Sequence, residues 1–339
     1  MSLSKDDNCY VANARMAAGL DNVIRCASTD VLAGADTSGS DIGTFDAAIL
    51  RQAGLIFDLR SPSERNEAQA QTWMSTVANE PFVVKELDTE ISYSEAELSG
   101  LLQTNPRLVV RLDVLSPSRF MSHLEQNWLT PGQTMQANLF KIVDGNRLHN
   151  LRMETLNSKG LLGLNEAILE TGKQGLCTAL QLITLHLEQQ AKNDNVEDSS
   201  PKNFDLIAIH CVQGKDRTGL LVMLCQAMMG VSDDHIIEDY YKSHNVKGRR
   251  KEQKTSAAME RATATTSNKK KASAEVKLDR SIFHSAPREV MQATVEYLRS
   301  NYGSIAPGYL EQIGFDASWQ QRFQVAASGR KAPALLSKL

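Results

Sequence analysis

The chain has 339 residues, 42% hydrophobic and 23% charged, with a formal net charge of -3. That is an ordinary globular composition without an overall basic footprint, so nucleic acid is not an expected partner. No apolar run approaches the ~20 residues of a membrane span, the first twenty residues lack the apolar core of a secretion signal, and five cysteines without a Cys-x-x-Cys pair argue against a disulfide framework or a zinc site.

In chain order, "GLIFDL" (Gly54 to Leu59) is a short apolar run with the pattern of a strand buried on both faces, and "RLVVRLDVL" (Arg107 to Leu115) is another candidate strand. In "GLCTALQLITLHLEQQ", Leu176, Ala179, Leu180, Ile183 and Leu187 fall on one helical stripe. A polar, acidic loop over residues 191–203 leads into a third strand, "FDLIAIH" (Phe204 to His210). A helix is predicted from Thr218, with Gly230 as its left-handed stop. Ser232 is placed to cap the next helix, whose first turn carries Asp233 and Asp234. Residues 246–277 are poor in large apolar side chains and basic, with Lys247, Arg249, Arg250, Lys251 and further cations outnumbering Glu252 and Glu260. Pro287 sits in the first turn of a last predicted helix. The alternation reads as α/β, a central mostly parallel sheet flanked by helices, in one domain over residues 1–339.

The stretch "HCVQGKDRTGL" places Cys211 at the carboxyl end of a strand, where open α/β sheets bind ligands. Between strand and helix, the amides of Val212, Gln213, Gly214 and Lys215 and the helix N-terminus converge on one point. Such a nest suits a phosphate-sized anion and favours a thiolate at Cys211. Arg217 offers a planar fork of donors to phosphate oxygens. These residue types fit one reaction: attack of Cys211 on phosphorus, protonation of the leaving oxygen, and hydrolysis of a phosphocysteine, with Thr218 donating to the departing thiolate and no metal or cofactor required. His210 reads as a support for the loop, and Cys225, among Leu221, Met223, Leu224 and Met228, as plain core.

"HCVQGKDRTG" resembles the phosphate-binding loop of cysteine-dependent protein tyrosine phosphatases. Its Gly-Lys-Asp-Arg version is similar to the atypical family that includes the mycobacterial tyrosine phosphatase B. "AGLIFDLRSPSE", "MMGVSDDHIIEDYYKSHN" and "YLRSNYGSIAPGYLEQIGF" extend the likeness over residues 20–67, 175–245 and about 280–323. Residues 68–174 diverge, and an Asn-Phe-Arg-Asp-type motif near the N-terminus is not recognised. The resemblance implies a tyrosine-phosphatase-like fold and Asp216, inside the loop, as general acid; Asp113, after a candidate strand, is the alternative. Asp58 and Arg60 end another strand and either reach the substrate or pair with each other to anchor the loop. Lys215 adds positive charge beside the phosphate.

Three functions compete: hydrolysis of phosphotyrosine with or without phosphoserine and phosphothreonine, hydrolysis of phosphoinositides, and a non-catalytic phosphoprotein-binding or sulfurtransferase-like use of the loop. Intact Cys211 and Arg217 disfavour the binding module, and Thr218 disfavours sulfur transfer. The basic segment occupies the position of the relative's helical lid; it is an element for anionic membrane surfaces, a lid or a solvated insertion. The expected location is the cytoplasm, where thiols stay reduced.

Overall fold

The computed structural model describes residues 10–28, 32–33, 45–46, 52–66, 82–193, 204–244 and 275–328. The expected loop from residue 194 onwards and the basic segment up to residue 274 lie outside them. Six strands form the main sheet: β1 (Arg15–Met16), β2 (Val23–Cys26), β3 (Ala53–Asp58), β4 (Val83–Glu86), β5 (Leu108–Arg111) and β6 (Leu206–His210). Their order is β1-β2-β6-β3-β5-β4, antiparallel between β1 and β2 and parallel elsewhere. The α/β expectation therefore holds, and β6, the strand that leads to Cys211, lies in the interior of the sheet. Three two-residue strands, Tyr10–Val11, Leu32–Ala33 and Phe45–Asp46, pair separately.

Alternation along the strands divides the core. Val23, Leu55, Phe57, Leu108, Val110, Ile207 and Ile209 face the larger apolar cluster, which contains the helices, while Ile24, Ile56, Val109 and Ala208 face a smaller one. Every residue of β3 and β6 is buried, which explains why both read as continuous apolar runs rather than as alternating ones.

The helices follow as α1 (Pro62–Asn66), α2 (Glu95–Thr104), α3 (Pro117–Asn127), α4 (Pro131–Val143), α5 (Gly145–Thr171), α6 (Lys173–Asn193), α7 (Asp216–Met228), α8 (Asp233–Tyr241), α9 (Arg280–Phe283), α10 (Arg288–Tyr302) and α11 (Ala317–Ser328). Helix α7 is buried on all sides from Thr218 to Gln226, as befits the helix behind the loop.

Three helix boundaries differ from the sequence reading, and the candidate strand Arg107 to Leu115 is a strand only over Leu108–Arg111. Helix α7 starts at Asp216 rather than Thr218, because the Lys215 carbonyl already accepts from the Gly219 amide (2.7 Å), so Asp216 and Arg217 ride on the first turn. Pro287 is the extended residue before α10 (φ -68°, ψ 149°), not part of its first turn. Ser232 has the extended backbone of a cap, but its hydroxyl pairs with His235 Nδ1 (2.8 Å) instead of a backbone amide. The predicted stop holds: Gly230, just past α7, has φ 69°.

Candidate active site

Cys211 follows β6 directly and is 3% exposed. The loop from Val212 to Lys215 is held from outside by its carbonyls. Ser28 N donates to Val212 O (3.1 Å), Asn13 Nδ2 to Gln213 O and Gly214 O (2.9 Å each), and Arg25 Nη2 to Gly214 O (3.1 Å). The loop amides, by contrast, are unused: none from Val212 to Lys215 donates a hydrogen bond among the described residues. With the carbonyls tied back and the first-turn amides of α7 free by helix geometry, the donors are left for an anion in front of Cys211. Gly214 permits the tight approach. Its φ is 65°, and a Cβ there would meet Cys26 O at 2.2 Å and Ala27 N at 2.6 Å, so any side chain would break the loop's seat on β2.

Arg217 is fixed by Glu64, the last residue of the "AGLIFDLRSPSE" stretch, to which the sequence reading assigned no role. Its Nη1 and Nη2 donate to Glu64 Oε2 (2.6 Å) and Oε1 (2.8 Å), and Nη1 also to Leu59 O (3.2 Å). Burial opposes charge on Glu64, but Arg217 and the Ser61 amide and hydroxyl outweigh it and hold Glu64 below the usual carboxylate range. Burial likewise opposes the charge on Arg217 and is outweighed by Glu64. A bidentate pair of this kind sets the plane of the guanidinium in advance.

The remaining expected residues fall into distinct places. Asp113 lies just past β5, in a turn tied to the end of β3 by Leu112 N donating to Asp58 O (3.0 Å). Burial raises its carboxyl above the ordinary value even though Arg217 is close enough to pull the other way. Asp216 accepts from Tyr240 Oη (3.1 Å) and has Lys215 Nζ 3.6 Å away. Lys215 is 1% exposed and spends its ammonium on Phe283 O (2.6 Å) and Ser285 O (2.8 Å).

Asp58 and Arg60 close on each other with two 2.8 Å bonds, and Arg60 Nη1 reaches Ser28 Oγ (2.9 Å), which puts this buried pair behind the loop. Asp58 is buried, yet His210 and Arg60 hold it well below the usual carboxylate range. His210 Nδ1 lies 3.4 Å from Cys211 O, beside the loop rather than at its mouth. The Thr218 hydroxyl is fully buried without a hydrogen-bond partner. Burial pushes the Cys225 thiol up to about 12, the state of an inert core cysteine.

The decisive comparison agrees with this geometry: a model described as "Tyrosine phosphatase family" matches residues 38–326, most of the chain and every element from β3 to α10. The chain belongs to the tyrosine phosphatase family. No curated protein matches it significantly. It is accordingly a protein-tyrosine-phosphatase-type hydrolase with a cysteine-dependent loop.

In this tyrosine phosphatase the loop rests on a buried polar cluster that sequence reasoning missed. Asp239 of α8 takes Arg25 Nη1 (2.8 Å) and Arg15 Nε (3.0 Å), while Ser243 Oγ accepts from Asn13 Nδ2 (3.2 Å). Burial opposes ionisation of Asp239, but the two arginines win and lower its pKa. Elsewhere, a cavity of about 570 Å³ between α3, α4 and α5 has Lys141 and Arg152 committed to Glu125, and no loop residue lines it.

Proposed function

We propose that the phosphatase hydrolyses phosphotyrosine, with phosphoserine and phosphothreonine as further substrates, through a phosphocysteine on Cys211. The observation that carries this is the set of unused loop amides in front of Cys211 together with Arg217 already oriented by Glu64. The substrate's phosphoryl group takes those amides and the Arg217 fork. Cys211 Sγ attacks phosphorus in line with the tyrosyl oxygen, the P–O bond breaks, and an acid protonates the departing phenolate oxygen; water, giving a proton to that same carboxylate, then attacks the phosphocysteine, and phosphate and the thiolate separate. Thr218, with an unspent hydroxyl one residue past Arg217, donates to that thiolate.

Asp216, on the loop itself, is the first candidate acid. Asp113 is the second, favoured by a specific observation: burial, outweighing the opposite pull of Arg217, helps it keep a proton, as an acid must. Phosphoinositide hydrolysis stands as the alternative, supported by the cations of 246–277 but not by Lys215, whose ammonium is engaged with backbone carbonyls. The loop sequence also supports a place in the atypical branch resembling mycobacterial tyrosine phosphatase B. A single phosphatase domain in the cytoplasm fits the four cysteines among the described residues, all buried and free, one of them the proposed nucleophile. Turnover of phosphotyrosine peptides, phosphothreonine peptides and a phosphoinositide panel by the purified protein tests the reading. A higher kcat/KM on any phosphoinositide than on the peptides reverses it.

A further inference from the structure

Helix α8 meets the phosphate-binding loop and the helix behind it through two consecutive residues. Asp239 takes Arg25 and Arg15 beneath the loop, and Tyr240 reaches the first turn of α7, where its hydroxyl donates to Asp216 Oδ1 (3.1 Å). Tyr240 is 1% exposed. Its ring lies against Gly219: a Cβ on that glycine would stand 3.1 Å from Tyr240 Cδ2 and 3.2 Å from Arg25 Nη2, closer than side chains ordinarily pack. The glycine after Thr218 is thus what lets the phenol approach the turn that carries Asp216. Asn165 of α5, whose Nδ2 donates to Thr294 Oγ1 of α10 (3.0 Å), also lies beside the hydroxyl. Burial, and Asp216 after it, push the Tyr240 pKa well above its ordinary value, so the phenol stays a neutral donor.

Asp216 is the open member of this group. Its side chain is 18% exposed, against 2% for Lys215. Lys215 Nζ stands 3.6 Å from Oδ2 and is bonded instead to Phe283 O and Ser285 O. Among the described residues no group other than Tyr240 donates a hydrogen bond to the Asp216 carboxyl.

We propose that Tyr240 is a positioning residue for the acid step: its hydroxyl holds the Asp216 carboxyl in the orientation from which it protonates the departing tyrosyl oxygen. The inference rests on the reading of Asp216 as the acid. As the P–O bond breaks, the carboxyl proton passes to the phenolate oxygen, and the carboxylate left behind keeps the bond donated by Tyr240. Water returns a proton to that carboxylate in the second step, and Tyr240 keeps its own proton throughout. A short side chain on the first turn of a helix can otherwise rotate, and a donor fixed on one oxygen sets the direction of the other.

The test compares two substrates in Tyr240→Phe, Asp216→Asn and the double variant: a phosphotyrosine peptide, whose phenol leaves poorly, and an activated nitrophenyl phosphate. Tyr240→Phe removes one oxygen and keeps the ring against Gly219. Its kcat/KM on the peptide is expected to fall about tenfold, and on the aryl phosphate by no more than about twofold. Because Tyr240 acts through Asp216, the double variant should turn over the peptide no more slowly than Asp216→Asn alone, where independent effects would multiply. Inorganic phosphate, which meets the loop amides and Arg217, should inhibit Tyr240→Phe and wild type equally. Equal losses on the two substrates, multiplied losses in the double variant, or weakened inhibition by phosphate would each overturn the proposal, the last by assigning Tyr240 to the loop itself. Asp216→Asn separates this from the underlying reading. Equal losses on both substrates in that variant remove Asp216 as the acid and the proposal with it, whereas a selective loss there and none in Tyr240→Phe leaves the acid standing and rejects Tyr240 alone.

Discussion

At the scale of single residues, Glu64 fixes the placement of Arg217, the residue proposed to grip the phosphoryl group. Glu64→Gln keeps the volume but loses half of the bidentate pair. The expected result is a kcat/KM lower by on the order of 100-fold with little change in fold, because the guanidinium is no longer held in its productive plane; unchanged kinetics would reduce Glu64 to a packing residue. Asp216 and Asp113 separate by leaving group. The asparagine variant of the true acid should lose far more rate with an alkyl phosphate than with an activated aryl phosphate, whose oxygen departs without protonation. Asp113 also makes a pH-dependent prediction. Its pKa is raised in the fold, so its charged form costs stability above that pKa and nothing below the unfolded value near ~4. Asp113→Asn is therefore expected to raise the melting temperature at neutral pH, with the gain vanishing at about pH 4. A gain that persisted unchanged in acid would contradict burial as the cause.

At the scale of elements, what the sequence disclosed and what it concealed divide by contact range. The strand, loop and helix around Cys211 are contiguous, and their residue types carry their own geometry: apolar β6, Gly214 with positive φ, and the apolar helical run of α7. The partners that make the loop rigid are not contiguous. Glu64 is 153 residues from Arg217, Asn13 is 201 from Gly214, and Arg25 is 214 from Asp239. Each is an ordinary polar residue in its local context, and only the parallel pairing of β2 and β3 with β6 and the packing of α8 bring them together. Lys215 misleads for the same reason: its neighbours in sequence suggest phosphate contact, while Phe283 and Ser285 accept its protons.

The Arg25–Asp239 pair tests the hidden layer. Both side chains are 1% exposed, so Arg25→Met leaves a carboxylate buried with only Arg15 to answer it. A loss of about 3 kcal/mol or more is expected in urea unfolding, together with reduced phosphate affinity, since Arg25 also holds Gly214 O. Loss of stability with unaltered phosphate binding would detach the cluster from the loop.

At the scale of the whole molecule, three buried carboxylates around the loop contribute acid sensitivity to the fold. Asp58, Glu64 and Asp239 all have depressed pKa values in the folded state, each because neighbouring cations outweigh burial. Carboxylates of this kind contribute stability above their unfolded values and lose it as pH falls through the folded ones. The melting temperature is expected to fall steeply below about pH 4, and Asp239→Asn, less stable at neutral pH, should show a shallower slope. An equal slope in the variant would place the acid response outside the loop's support. No helix among the described residues is long and apolar enough to cross a membrane.

The central claim is the covalent step, and trapping it is the most direct test. During turnover of a phosphotyrosine peptide, rapid quenching followed by mass spectrometry of proteolytic fragments should find a phosphoryl adduct on the fragment containing Cys211. Arg217→Ala should reduce its formation by about 10²–10³-fold, and Cys211→Ser should abolish both adduct and turnover. An enzyme that turns over with the adduct on another residue, or a Cys211→Ser variant that still hydrolyses the peptide, would contradict the account.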